Sequence, residues 1–140
     1  MTNYDPYTHA TALGLPVIHT TIPTGHGGLW IPRHHAIYLA PDLHPHRERC
    51  TLSHEIQHAI RDTKHTWGSR EHHRIIESQC DRDAAMLLIP FDDLLEQVSE
   101  HADPGAWAAN LRVTGRMIRA RIRALTPSQL QLLDAAHLDP

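Results

Sequence analysis

The first forty residues carry short runs of β-forming residues separated by turn-forming ones. The runs 29–31 and 36–39 are hydrophobic and flank a proline-containing segment, so they predict a hairpin. Residues 15–22, which alternate imperfectly and precede Pro23, predict a short edge strand. Residues 1–10 show neither pattern and predict a loose arm.

Helical spacing of apolar positions follows these strands. It predicts a helix over about residues 47–62, a second over 73–88 and a short third over 91–100, with a loop over 64–70. The second helix ends before a proline, which cannot continue it. Because strands come first and helices after, we expect an α+β fold in which a small antiparallel sheet packs on the helices.

The last forty residues predict further helix. A helical region is expected over 106–125 and, after a start at Thr126-Pro127, a final one over 128–136. We therefore expect a core over residues 1–100 and a helical extension over 101–140, packed together as a single compact domain.

Bulk composition narrows the class of protein. A net charge of −3 is too small to attract nucleic acid over the whole surface. The chain has no apolar run of about 18 residues, so we expect no membrane span. Its N-terminus lacks the features of a secretory signal, which makes the cytoplasm the expected location. Cys50 and Cys80 lack metal-binding spacing, and we expect two buried, inert thiols.

The main chemical signal is His54-Glu55-Ile56-Gln57-His58, an HExxH pentapeptide inside the first long predicted helix. Positions i and i+4 share a helix face, so His54 and His58 can reach one metal ion. Glu55 can then take a proton from water, which is the minimum apparatus of a zinc-dependent hydrolase. Since the chain has 14 histidines in 140 residues, such a pentapeptide arises by chance in roughly one chain of twenty, and its context matters.

A catalytic zinc needs a third protein ligand. The downstream candidates are His65, His72, His73, Glu77 and Asp81. Lys64 occupies the position where metzincins carry their third histidine, which excludes that class. Glu77 and Asp81 share a helix face, so Glu77 can bind the metal while Asp81 orients a ligand histidine. A solvated helix face explains the same pair equally well from the spacing alone.

Two motifs together resemble the signature of the ImmA/IrrE metallopeptidase family. They are Thr-Leu-Ser-His-Glu-Ile-Gln-His at 51–58 and Glu-Ser-Gln-Cys-Asp-Arg-Asp-Ala-Ala-Met-Leu-Leu-Ile-Pro at 77–90. The resemblance covers about residues 13–90. Where the family usually has Ala, Phe and Met, this chain has Cys80, Asp83 and Ile89, and only Asp83 exchanges an apolar contact for a charge.

The resemblance implies a gluzincin-like site. In that site His54, His58 and Glu77 hold Zn²⁺, and Glu55 is the general base. Asp81 matches the position that supports a metal ligand. A set of two histidines and a glutamate also accepts manganese or iron, although zinc suits it better. Family members typically cut a Cro/repressor-like DNA-binding protein in phages, mobile elements or stress responses, which makes a repressor-type regulator the expected protein substrate.

Stabilising the developing oxyanion requires a further donor. The candidates are His65, His72, His73 and Tyr38. We also expect the hairpin strand that contains Tyr38 to pair with an extended peptide substrate.

The stretch 107–125 is similar to a helix-turn-helix-like run near the C-terminus of the family. Its apolar stripe at helical spacing favours a packed helix pair. A basic run surrounds the stripe and consists of Arg112, Arg116, Arg119, Arg121 and Arg123. We favour packing and substrate docking over DNA binding for this region.

The alternative function is a non-catalytic, metal-containing regulatory module that binds a partner protein or DNA through these helices. The intact Glu55 favours the enzyme. A toxin of a toxin–antitoxin pair would share the same chemistry.

Overall fold

The computed structural model describes residues 4–23, 25–64 and 68–138. Its elements are α1 (Pro6–Ala12), β1 (Val17–His19), β2 (Gly28–Ile31), a 3₁₀ turn (Pro32–His34), β3 (Ala36–Leu39), α2 (Pro45–Arg61), α3 (Arg70–Leu88), α4 (Phe91–Glu100), α5 (Pro104–Leu111), α6 (Gly115–Arg123) and α7 (Pro127–Leu138). The predicted α+β class is confirmed. Within these ranges, no helix combines the length and the apolarity that crossing a bilayer requires.

The three strands form a mixed sheet in the order β1-β3-β2. β2 and β3 form the predicted antiparallel hairpin, with Trp30 opposite Ile37. β1 is an edge strand as expected, but it runs parallel to β3, so the prediction of a wholly antiparallel sheet was wrong. The chain reverses direction at each connection, and β3 returns between β1 and β2 rather than beyond β2. It therefore lies parallel to β1.

One hydrophobic core joins the inner face of the sheet to α2. Ile37 and Leu39 of β3 and Trp30 of β2 pack with Leu52 and Ile56 of α2, and each is no more than 1% exposed. Alternate residues of a strand point to opposite faces, so Tyr38 points away from α2. This packing holds the sheet against the helix that carries the HExxH motif.

A second core lies among α3 and the helices that follow it. Its members include Leu88, Leu94, Trp107, Met117 and Leu133. Residues before and after position 100, where the predicted helical extension begins, both belong to this cluster. Cys50 of α2 joins it, and both cysteines are buried free thiols, as predicted.

The N-terminal arm was predicted incorrectly, because residues 6–12 form α1. Asp5 caps this helix by accepting a hydrogen bond from the Tyr7 N–H, and Pro6 occupies its first turn. Both features favour helix initiation. Ala10 is buried and anchors the helix in the first core.

The predicted helical region over 106–125 consists of two helices, α5 and α6, which agrees with the packed helix pair favoured for 107–125. Arg112 adopts a left-handed conformation, with φ of 57°, and ends α5. The Thr114 side chain then accepts a hydrogen bond from the Met117 N–H and begins α6. The apolar spacing alone did not give the position of this break.

The start of α3 likewise differs from the prediction by a few residues. Ser69 caps it by accepting a hydrogen bond from the His72 N–H, so the helix begins at Arg70 rather than near residue 73. Part of the predicted loop over 64–70 lies outside the described residues.

The start of α7 is stabilised by a reciprocal pair of hydrogen bonds. The Gln129 N–H donates to Thr126 Oγ1, and the Thr126 N–H donates to Gln129 Oε1. This capping box satisfies two backbone donors that a helix end otherwise leaves unpaired.

We expect Thr126→Ala to lower the free energy of unfolding by about 1 kcal/mol, because it removes one of these bonds. Ser128→Ala, an exposed change in the same turn, is the matched control and should have a smaller effect. Urea unfolding of both variants measures the difference. Equal stability of the two variants would contradict the assigned cap.

Candidate metal centre

The HExxH residues lie on a stretch of α2 that is buried from residue 52 to residue 58. His54 and His58 project from one face, and their Nε2 atoms are 3.2 Å apart. Glu77 of α3 meets them from the opposite side. Its Oε2 lies 3.0 Å from His54 Nε2, and its Oε1 lies 2.7 Å from His58 Nε2. Two neighbouring helices therefore bring two imidazoles and a carboxylate to one point.

These three residues fit a divalent metal ion. Their candidate ligand atoms all lie within 4.8 Å of one another. Donor atoms around a tetrahedral zinc with bonds of about 2.0–2.1 Å lie roughly 3.3 Å apart. The observed separations of 2.7–3.2 Å need only a small widening to accept such an ion. The donor set of two histidines and one glutamate is also one that catalytic zinc sites use.

Asp81 supports His54 from the side away from Glu77. The Nδ1–H of His54 donates to Asp81 Oδ1 at 2.7 Å, which leaves Nε2 facing the other two donors. Asp81 is one turn beyond Glu77 on α3, so the same helix supplies both carboxylates. A carboxylate in this position can fix the ring orientation of a histidine that binds a metal.

Arg116 of α6 completes this chain of contacts, and the sequence analysis missed its position. Its Nε and Nη2 donate to Asp81 Oδ2 at 3.0 and 2.8 Å. Burial raises the pKa of Asp81, but the hydrogen bonds from His54 and Arg116 outweigh burial and lower it. Asp81 therefore remains an anion that can hold the His54 N–H.

The electrostatics of the cluster favour positive charge among the donors. Burial lowers the pKa of His54, yet the hydrogen bonds with Asp81 and Glu77 outweigh burial and raise that pKa to about 9. Burial raises the pKa of Glu77, but the contacts with His54 and His58 bring it far below its usual range. A divalent cation supplies the same sign of charge at the same place.

Glu55 lies beside the cluster and is held by the backbone of β2. Its Oε2 accepts a hydrogen bond of 2.9 Å from the Trp30 N–H. Burial raises the pKa of the Glu55 carboxyl. Gly28 permits this close approach, because a Cβ there would lie 2.7 Å from Thr51 Cγ2 and 3.1 Å from Glu55 Cγ. A backbone N–H leaves no sequence signal, so the contact between Trp30 and Glu55 could not be predicted from the sequence.

Two cavities border the cluster. A cavity of about 410 Å³ contains Gly28, Glu55 and Arg116 in its lining, and one of about 340 Å³ contains His58 and His73. Glu77 borders both. Each volume lies within the range of small-ligand sites. The donors are therefore accessible from two sides.

Comparison with known proteins agrees with this arrangement. Residues 10–123 match a peptidase family model described as the IrrE N-terminal-like domain. The chain belongs to this family. The resemblance that the two sequence motifs indicated is thereby confirmed.

Two curated relatives carry the name radiation response metalloprotease IrrE. The protein from Deinococcus deserti is 36% identical over 101 residues, which cover 63% of this chain and 36% of the relative. The protein from Deinococcus radiodurans is 29% identical over 114 residues, which cover 74% of this chain and 35% of the relative. The matched part of the chain thus spans about a third of the length of these relatives.

The candidates for stabilising the oxyanion lie at different distances from the three metal-binding donors. His72 and His73, in the first turn of α3, line the smaller cavity together with Glu77. Tyr38 is not near the cluster. It points away from α2, and its hydroxyl lies 2.9 Å from His34 Nδ1. His65 lies outside the described residues.

We expect Glu77→Ala to weaken Zn²⁺ binding by more than about a hundredfold, which exceeds the usual cost of losing an outer supporting group. The change removes one of three converging donors. Glu71→Ala, which removes an exposed carboxylate from the first turn of the same helix, is the control and should bind as the wild type does. Chelator competition measures both dissociation constants. Unchanged affinity in Glu77→Ala would exclude Glu77 as a ligand.

We expect Asp81→Asn to weaken Zn²⁺ binding by about 10–100-fold, because the amide no longer fixes the His54 ring as an anion does. Arg116→Ala should have a smaller effect, since the guanidinium acts only through Asp81. In the Asp81→Asn background, Arg116→Ala should then change little. Arg119→Ala on the exposed side of the same helix is the control. An equal effect of Arg116→Ala in both backgrounds would contradict this coupling.

Proposed function

We propose that this chain is a zinc-dependent endopeptidase domain in which Glu55 assists the attack of water on a protein substrate. The position of Glu55 carries the proposal. Its carboxylate lies beside the three metal-binding donors, is held by the Trp30 N–H and borders the larger cavity. A domain that only bound metal would have no use for a buried base at this point.

The chain's own residues suit this chemistry. When bound, zinc supplies Lewis acidity, which lowers the pKa of water and polarises a carbonyl group. Glu55 takes the proton from the attacking water and delivers it to the leaving amine. Burial raises the pKa of Glu55, which makes the carboxylate a stronger proton acceptor. His72 and His73 are the candidates for stabilising the oxyanion.

The substrate strand is proposed to bind at the outer edge of β2. The expectation that the strand containing Tyr38 would pair with a peptide was wrong, because β3 is central and has a neighbour on each side. The Trp30 N–H donates to Glu55, so it faces away from β3. Alternate residues of an antiparallel strand share this orientation, which places the backbone of Gly28 at the same open edge. An extended peptide paired at Gly28 would lie beside Glu55, which occupies the Trp30 N–H.

A repressor-type transcriptional regulator in the cytoplasm is the proposed substrate. The family resemblance supports this choice, and it also supports a role in a phage, a mobile element or a stress response. The two relatives are named for a radiation response, which is consistent with a regulatory target.

The arrangement of the basic C-terminal run favours the enzyme over the regulatory module. Arg121 is 3% exposed and donates to the Ile89 carbonyl, and Arg116 is paired with Asp81. Two of the five arginines are therefore engaged within the fold. That leaves a smaller basic surface for a partner or for DNA than the sequence suggested.

We expect Glu55→Gln to retain zinc and to lose peptide cleavage by about 10²–10⁴-fold, because the amide cannot accept the proton. The measurement is mass spectrometry of a diverse peptide mixture digested by zinc-loaded protein, with a chelator-treated sample as the control. Zinc content is determined for both proteins.

Wild-type rates in zinc-loaded Glu55→Gln would rule out the proposed base. A zinc-loaded wild type that cleaves neither peptides nor repressor-type proteins would overturn the endopeptidase function itself.

A further inference from the structure

The larger cavity contains a cation that the proposed chemistry does not use. Arg47 lies on α2 eight residues before Glu55, which is close to two helical turns, so both side chains line this cavity. The guanidinium lies against the start of β2, since a Cβ on Gly27 would be 3.4 Å from Arg47 Nη2. Arg47 is therefore adjacent to the strand edge proposed for the substrate.

The carboxylates of this cavity all have other partners. Glu55 is bonded to the Trp30 N–H, Glu77 contacts both histidines, and Asp81 is held between His54 and Arg116. In the described part of the chain, no carboxylate pairs with Arg47.

The remaining charged or titratable groups that face this cavity do not offset that charge. Arg116 on α6 is already paired with Asp81, and His26 lies in the segment before β2. Among the described residues that line this cavity, Arg47 is thus a cation without a carboxylate partner.

We propose that Arg47 binds a carboxylate of the substrate, namely an aspartate or glutamate side chain close to the cleaved bond. This inference rests on the proposed endopeptidase function. Eight helical residues advance about 12 Å, and an extended peptide advances about 3.3 Å per residue, so the acidic residue lies within about four positions of that bond. A guanidinium suits this role because it pairs with a carboxylate through two parallel hydrogen bonds.

Binding is tested separately from cleavage. Zinc-loaded Glu55→Gln is applied to an array of peptides with amidated C-termini, in which each position is varied in turn. Amidation ensures that any carboxylate bound belongs to a side chain. We expect Asp or Glu at one position to strengthen binding by about tenfold, the scale of one charge-assisted pair.

Arg47 variants in the same background then assign the preference. Arg47→Gln should abolish it, Arg47→Lys should retain part of it, and Arg47→Glu should favour Lys or Arg at that position. Arg33→Glu, which reverses an exposed arginine outside the cavity, is the matched control and should leave the preference unchanged. The proposal would be overturned if the protein with Arg47 and the Arg47→Glu variant gave the same array profile. An array that shows no acidic preference would also overturn it.

Cleavage of a peptide pair that differs only by Glu or Gln at the selected position distinguishes the two proposals. Wild type should cleave the Glu peptide with the higher kcat/KM, and Arg47→Glu should reverse the order. Cleavage without an acidic preference would overturn the carboxylate site and leave the endopeptidase standing. Selective binding of acidic peptides that depends on Arg47, without cleavage of any peptide, would overturn the endopeptidase function and leave the carboxylate site standing.

Discussion

The Asp81 carboxylate is the contact on which the geometry of the metal centre depends. One oxygen accepts the His54 Nδ1–H and the other accepts two N–H groups of Arg116. A single side chain thereby joins α2, α3 and α6. Because the group is buried, losing either partner would leave an anion with too few hydrogen bonds. The orientation of His54, a candidate metal ligand, is therefore linked to the packing of a helix near the C-terminus.

A second constraint acts from the sheet side of α2. Gly28 lets β2 approach the helix closely, and the Trp30 N–H then holds Glu55. Asp81 and Trp30 thus position two neighbouring residues, His54 and Glu55, from different directions. Preorganising both groups limits the reorganisation that the reaction would require. It also explains why the motif needs a strand on one side and a helix on the other.

The sequence predicted those parts of the site that depend on local spacing. His54 and His58 share a face because they are four residues apart on a helix. Glu77 was one of five candidates for the third ligand, and the resemblance of the second motif to a known family selected it, since its spacing also fits a solvated face. Arg116 is 35 residues from Asp81, and the Trp30 N–H is 25 residues from Glu55. Neither contact follows from local periodicity.

In the fold, too, the sequence predicted the features that depend on local spacing and not those that depend on long-range contacts. The hairpin and the long helices follow from short-range patterns, so their approximate positions were predicted correctly. The place of β3 between the other strands depends on how the chain returns to the sheet, and no residue of β1 encodes a parallel neighbour. The break between α5 and α6 depends on a left-handed Arg112, a conformation that is uncommon for arginine. Local preference specifies neither the place of β3 nor the position of this break, because both depend on tertiary packing.

The face of α2 accounts for the separation that we propose between metal binding and substrate selection. At about 100° per residue, Arg47, His54, Glu55 and His58 fall within an arc of roughly 100° on the helix surface. Leu52 and Ile56 lie outside that arc and pack on the sheet. The helix therefore uses its apolar side for stability and a single polar stripe for chemistry. Along that stripe the proposed carboxylate site precedes the general base by about two turns, so a change at Arg47 can alter which peptide is preferred without moving a metal-binding donor.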